Sequence, residues 1–229
     1  MKKFNLIKRF ASPLYIGTLL AFSGFTAQAA LLGVVPETPL FNYNSGGTTT
    51  FDSLSGSLSV SATPFEFTPA GGPPSTIYPL ITAPSVSLNI FLDTGWALLG
   101  GDPGGDDLSV SGDIDSDGDF IADISGVLLT AEIVSFGFDE FSTPTAASFD
   151  FLFTVTGGAL VASGDYALGS NAGMTLTVEG NNFDINSFQD WAGGAKGTIG
   201  SVVPVPAAIW LFGSGLLGLA TCLKKRGRP

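Results

Sequence analysis

Large apolar residues recur at every second position along much of this chain, and that spacing predicts β-strands. Leu54, Leu58 and Val60 alternate with a serine face made of Ser53, Ser55, Ser57 and Ser59. Val86, Leu88, Ile90 and Leu92 repeat the pattern. Phe149, Phe151, Phe153 and Val155 share a face opposite Asp150, Thr154 and Thr156, and Met174, Leu176 and Val178 alternate with Thr175, Thr177 and Glu179. Successive side chains of a strand point to opposite faces, so each run turns an apolar face to a core and a polar face outward. On this reading Phe149, Phe151 and Phe153 are buried, and Asp150 is exposed or at the rim. The run Val127 to Phe138 is almost continuously apolar, which fits a central strand covered on both faces. Clusters of Gly, Pro, Asn and Asp separate the runs, and no helical period is evident between Ala30 and Pro204. The pattern predicts an all-β sandwich or jelly-roll-like domain of about 8–10 strands.

Two stretches lack the pattern. Thr63 to Pro84 contains Pro64, Pro69, Pro73, Pro74, Pro79 and Pro84 and reads as a long irregular surface connection. Residues 187–203 are Gly-rich and read as a linker. Both ends of the chain are basic and apolar. Lys2, Lys3, Lys8 and Arg9 precede an apolar stretch from Phe10 to Phe25, and Ala27-Gln28-Ala29 has the small-x-small form that signal peptidase cuts. Ala207 to Leu223 carries no charge; as a helix it is roughly 25 Å long against a ~30 Å hydrocarbon core. Lys224, Lys225, Arg226 and Arg228 follow it and favour the cytoplasmic side. The predicted organisation is a signal peptide (1–29), a β-rich exported domain (30–186), a linker (187–203) and a C-terminal segment (204–229). That last segment comprises a transmembrane helix (207–223) and a basic tail (224–228).

The C-terminal segment also resembles a known signal. Val203-Pro204-Val205-Pro206-Ala207-Ala208, the Gly/Leu-rich run Trp210 to Gly218 and the cluster Lys224 to Arg226 stand in the order of the PEP-CTERM sorting signal, in its Val-Pro-x-Pro-Ala form. Val205 stands where the Pro-Glu-Pro form has a carboxylate. The resemblance implies an exopolysaccharide-producing Gram-negative bacterium and recognition by an exosortase, an integral-membrane cysteine protease or transpeptidase. It implies transient anchoring in the inner membrane and then a cell-surface or extracellular location.

Charge narrows the partners. All 20 Asp and Glu lie between Glu37 and Asp190, while eight of the nine Lys and Arg lie in the terminal segments. Lys196 is the one cation of residues 30–203, whose balance is therefore −19. Such a domain repels nucleic acid and anionic surfaces and attracts divalent cations. The chain has no His, and its one cysteine, Cys222, lies in the apolar tail. Disulfides, His-ligated zinc, His-based triads and a cysteine nucleophile are thereby excluded from the exported part. An enzyme is not expected; a glycoside hydrolase working through paired carboxylates ranks third, because nothing in the sequence selects a pair. Trp96, Trp191, Tyr43, Tyr78 and Tyr166 either pack in the core or stack on sugars, so a carbohydrate-binding module associated with exopolysaccharide is the alternative. The first expectation is a structural or interaction domain at the cell surface or in the extracellular matrix, with exopolysaccharide or other surface proteins as partners.

One loop carries nameable chemistry. Asp113, Asp115, Asp117, Asp119 and Asp123 lie on a D-x-D-x-D-G pattern, in which alternate carboxylates converge on a cation and Gly118 allows the turn. The loop resembles an EF-hand loop from Asp113, with Ile124 where the bidentate Glu would stand. It also resembles thrombospondin type 3 and dockerin-like Asp loops on Asp115, Asp117, Asp119 and Asp123, with Phe120 at a usual Gly position. These resemblances imply Ca²⁺ as the cofactor held by the five aspartates; the plain alternative is an acidic hairpin turn. Asp102, Asp106 and Asp107 offer a weaker second cluster, similar to a single β-roll repeat.

Overall fold

The computed structural model describes residues 31–72, 76–140, 146–180, 183–184 and 186–202, without the side chains of residues 44, 45 and 140. Within them run β1 (Glu37–Asp52), β2 (Ser57–Ala62), β3 (Pro64–Thr68), β4 (Tyr78–Pro79), β5 (Ser85–Leu92) and β6 (Leu98–Gly101). There follow β7 (Leu108–Ile114), β8 (Ile124–Glu140), β9 (Ala146–Gly157), the short helix α1 (Ala159–Ser163), β10 (Asn171–Glu179) and β11 (Trp191–Ser201). The signal-peptide reading with Ala27 and Ala29 lies outside the described residues. So does the sorting motif Val203, Pro204, Val205, Pro206 and Ala207, and so does the segment 207–223. Among the described residues no helix is long and apolar enough to cross a membrane.

Hydrogen bonding runs β11-β10-β9-β8-β7-β5-β2-β1, and β1 then pairs back onto β11. The eight strands form a closed antiparallel barrel. The all-β expectation holds, but the sheet closes on itself instead of dividing into two facing layers. Alternating patterns are the same in a sandwich and a barrel; the β1–β11 register decides between them, and no local pattern reports it. β3 and β4 extend from the first half of β1, and β6 pairs along β5.

The predicted inward positions are buried: Leu58, Val60, Val86, Leu88, Ile90, Leu92, Phe149, Phe151, Phe153, Val155, Met174, Leu176 and Val178. Leu54 is the exception, since β1 has ended and the residue sits in the β1–β2 turn, 96% exposed. Phe51, Trp96, Phe138, Phe149, Phe183, Phe188 and Trp191 form one ring network that fills the end of the barrel opposite Ser201. Edge-on contacts such as Trp96–Phe183 (5.0 Å) and stacked ones such as Phe149–Trp191 (5.7 Å) each add about 0.5–1.5 kcal/mol beyond area burial.

Several expectations are corrected. The stretch 187–203 is not a linker: Trp191–Ser201 is the strand that closes the barrel, so the domain runs past 186 to residue 201. Thr63 to Pro84 is not wholly irregular, because it contains β3 and β4; Phe67 of β3 is buried, and Pro79 sits on the short edge strand where its missing N–H costs no ladder bond. β8 is a strand as expected but is not covered on both faces: Val127 and Val134 are about half exposed. Val134 is the extra residue of a bulge between the Ile133–Phe153 and Ser135–Leu152 pairs, which turns it outward. Asp150 does face away from the barrel interior yet is buried, because the segment before β1 lies over it. Its Oδ2 accepts the N–H groups of Gly33 (3.0 Å) and Val34 (3.2 Å).

Candidate metal centre

The aspartate loop, residues 115–123, joins β7 to β8 at the end of the barrel from which β11 emerges. Its base is set by the Ile114–Ile124 pair and by the Asp123 N–H, which donates to the Ile114 carbonyl at 2.9 Å. Ile114 is fully buried and bridges to Leu80, so the base is anchored in the core.

Asp115 organises that turn. Its carboxylate is buried, Oδ1 accepting the Gly118 N–H (2.7 Å) and Oδ2 the Phe120 N–H (2.9 Å). Gly118 takes φ +83°, a conformation that L side chains rarely adopt, and thereby reverses the chain around Asp115. Asp123 folds back on the loop start, accepting both the N–H and the hydroxyl of Ser116. These two bonds hold its pKa below the usual carboxylate range. Asp117 accepts the Asp119 N–H, which lowers its pKa. Repulsion from Asp119, Asp123 and Asp115, with some desolvation, outweighs that bond and leaves Asp117 raised.

Carboxylate oxygens of Asp115, Asp117 and Asp123 all lie within 4.8 Å of one another. Two oxygens on opposite sides of a Ca²⁺ ion at about 2.4 Å each are about 4.8 Å apart, so this set fits a single hard cation. The other two expected ligands are not brought in. Asp113 is part of β7, paired with Ser125, and Asp119 turns its Oδ1 to the Ile121 N–H at 2.8 Å. The D-x-D spacing located the loop, but which carboxylates converge depends on the bonds that Asp115 makes inside it.

The second acidic cluster is organised differently. Asp107 is buried and pins two segments, its Oδ1 accepting the Asp102 N–H (2.6 Å) and its Oδ2 the Ile133 N–H (2.7 Å). Asp106 accepts the Thr156 hydroxyl. Desolvation, and then the charges of Asp107, Asp106 and Asp102, push the neighbouring Glu132 carboxyl upward.

The aromatic residues are placed in the core. Trp96, Trp191, Tyr43 and Tyr166 are buried, so those four offer no exposed stacking face, and Tyr78 is half-buried. The Tyr43 hydroxyl donates to the Thr175 carbonyl (2.7 Å) and the Tyr166 hydroxyl to the Pro39 carbonyl (2.9 Å); burial pushes both phenols up. Two shallow hollows on the outer face of β1, β10 and β11 share Thr177 and Lys196; Glu179, ion-paired with Lys196, lines the one beside Gly46, Gly47 and Gly194. Sequence reasoning marked Phe120 only as a departure from glycine and did not single out Ile121; both stand exposed at the loop tip. An apolar pair set among aspartates was the available signal. No family model, curated protein or solved structure matches the chain.

Proposed function

We propose that the chain is an exported β-barrel domain, delivered by an N-terminal signal peptide and sorted through its C-terminal segment to the cell surface or extracellular matrix. Its role there is structural or interactive, and Ca²⁺ held by Asp115, Asp117 and Asp123 stabilises it. The observation that carries the reading is the ordered C-terminal signal, Val203 to Ala208 followed by an uncharged stretch and a basic cluster. The barrel supports it in one respect: Glu37 at the start of β1 pairs with Ser201 at the end of β11, so both terminal segments join the domain at one end. A domain hung from one end leaves the rest of its surface free of the processing machinery.

Mass spectrometry of the mature protein from the producing cell tests this. The expected N-terminus is Ala30 and the expected C-terminus lies between Val203 and Ala208. Because β11 ends at Ser201, the cut falls only a few residues beyond the barrel. Intact chains still ending in Pro229 at the cell surface would defeat the sorting reading.

A further inference from the structure

We infer that the barrel end from which β11 emerges lies against the lipid bilayer while the C-terminal segment is inserted, with Phe120 and Ile121 of the β7–β8 loop in the headgroup layer. The inference rests on the reading of 207–223 as a membrane segment. Chain length sets the distance. Val202 is still tied to the barrel, its N–H donating to the Asn171 carbonyl at 3.1 Å. The uncharged stretch opens at Ala207. A fully extended residue spans at most about 3.3–3.6 Å, so these two Cα atoms are no more than about 18 Å apart. The polar layer between the hydrocarbon and bulk water takes up roughly 5–8 Å of that. The barrel has little room to stand off.

Strand direction shows what this end carries. β1 and β10 begin here and β9 and β11 end here, as the Glu37–Ser201, Ala172–Ser201 and Asn171–Thr154 pairs establish. β7 also ends here and β8 begins here. The end therefore presents the loop 115–123, the connection 158–170 and the approach to β4. These carry Phe120 (84% exposed), Ile121, Leu168 and Ile77, all more than half exposed. Among the described residues of the opposite end, Phe51, Trp96, Phe138, Phe149, Phe183 and Trp191 are gathered into the core network and the exposed large apolar residues are Leu54 and Leu99. The Phe120 N–H donates to Asp115 with φ +66°, so the bonds that shape the loop also hold the ring outward. An apolar tip that enters about 5–10 Å into the headgroup and acyl boundary gains burial there. Asp117, Asp119 and Asp123 around it oppose an anionic surface and not a zwitterionic one.

The test uses the chain from Ala30 to Pro229 in phosphatidylcholine vesicles, with Cys222→Ser and a single new cysteine, Phe120→Cys or Leu54→Cys, carrying a nitrobenzoxadiazole label. Flotation with the vesicles is scored first. The label at position 120 should then be quenched severalfold more by nitroxide-bearing lipid headgroups, and less by aqueous iodide, than the label at 54. Flotation with equal quenching at the two positions, or stronger lipid quenching at 54, overturns the apposition and leaves anchoring intact. Failure to float overturns the anchoring reading and the apposition with it.

Discussion

Asp115 and Asp117 are two residues apart and stand in opposite relations to the fold. Asp115 is buried, each of its oxygens accepting one backbone N–H; Asp117 is exposed and crowded by like charge. Asp115→Asn would turn an amide NH₂ toward one of the two N–H donors, and a buried donor left without an acceptor costs about 1–3 kcal/mol. The variant should melt several degrees lower even in chelator. Asp117→Asn keeps an acceptor for Asp119 and relieves repulsion, so its melting point in chelator should be unchanged or higher, with a smaller response to Ca²⁺. A full Ca²⁺ response in Asp117→Asn would mean the ion is not held here. A second residue-scale expectation concerns Thr49, whose buried Oγ1 has no hydrogen-bond partner among the described residues. Thr49→Val should gain about 1 kcal/mol by removing an unsatisfied hydroxyl. Thermal melts check it; a lower melting point would show that the hydroxyl is bonded after all.

At the scale of elements, β11 decides the architecture and hides its own signal. Its inward-facing line includes Trp191, Ala195 and Ile199, but Gly197 leaves a blank in the period-2 pattern. The blank is filled from β1, because the Tyr43 side chain crosses over Gly197 to reach the Thr175 carbonyl on β10. A Cβ at Gly197 would lie 1.8 Å from the Thr175 oxygen and 2.6 Å from the Tyr43 hydroxyl. Gly197→Ala should therefore cost about 3 kcal/mol or more, as overpacking against backbone does. Gly194→Ala should be mild, since its nearest neighbour would be the Glu179 carbonyl at 3.8 Å. Urea midpoints separate the two; equal losses would mean that close approach is not what β11 needs glycine for. The same physics explains what was legible beforehand. β2, β5, β9 and β10 carry their own large apolar residues at alternate positions, so each announces itself. β1 is interrupted around Gly46 and Gly47, where its pairing with β11 shifts register. β3 and β4 are short and Pro-bearing, and β11 borrows its filling from a strand about 150 residues away in sequence. The aspartate loop was legible as a loop, from spacing alone. Which of its carboxylates converge was not, because hydrogen bonds from Gly118, Phe120 and Ser116 determine where two of the five, Asp115 and Asp123, point.

Over the whole molecule, a balance of −19 on residues 30–203 makes stability sensitive to the protonation of carboxyl groups. Asp150 is raised by burial, against the opposing N–H bonds of Val34 and Gly33. Glu132, through desolvation and its acidic neighbours, and Asp117 are raised as well. A carboxyl whose folded pKa is raised holds its proton more tightly in the folded state. Its contribution is complete below the ordinary carboxylate range of about 3.9–4.3 and is lost as pH rises through the raised value. Asp123 and Asp190, both lowered by bonds to serine, act in the other direction, stabilising above that range and losing their contribution as pH falls below it. In chelator the melting temperature should therefore decline as pH rises from the upper edge of the carboxylate range toward neutrality, and decline again in strong acid. On the proposed function calcium should reverse the neutral-side trend, because the site proposed in the loop takes the ion through ionised carboxylates. With Ile124 in place of a bidentate Glu, the affinity belongs with extracellular modules, on the order of 10⁻⁴ to 10⁻³ M. At ten times the dissociation constant, binding to the folded state alone adds about 1.4 kcal/mol. For a domain of this size that is a rise of roughly 3–5 °C at pH 7. Mg²⁺ should do less, since it dehydrates reluctantly and demands octahedral geometry. Melting curves at pH 5 and pH 7, each in chelator and in millimolar Ca²⁺, settle both signs: the Ca²⁺ shift must be larger at pH 7. A shift that is absent at both pH values leaves the loop an acidic turn, and one that is larger at pH 5 places the ion away from these carboxylates.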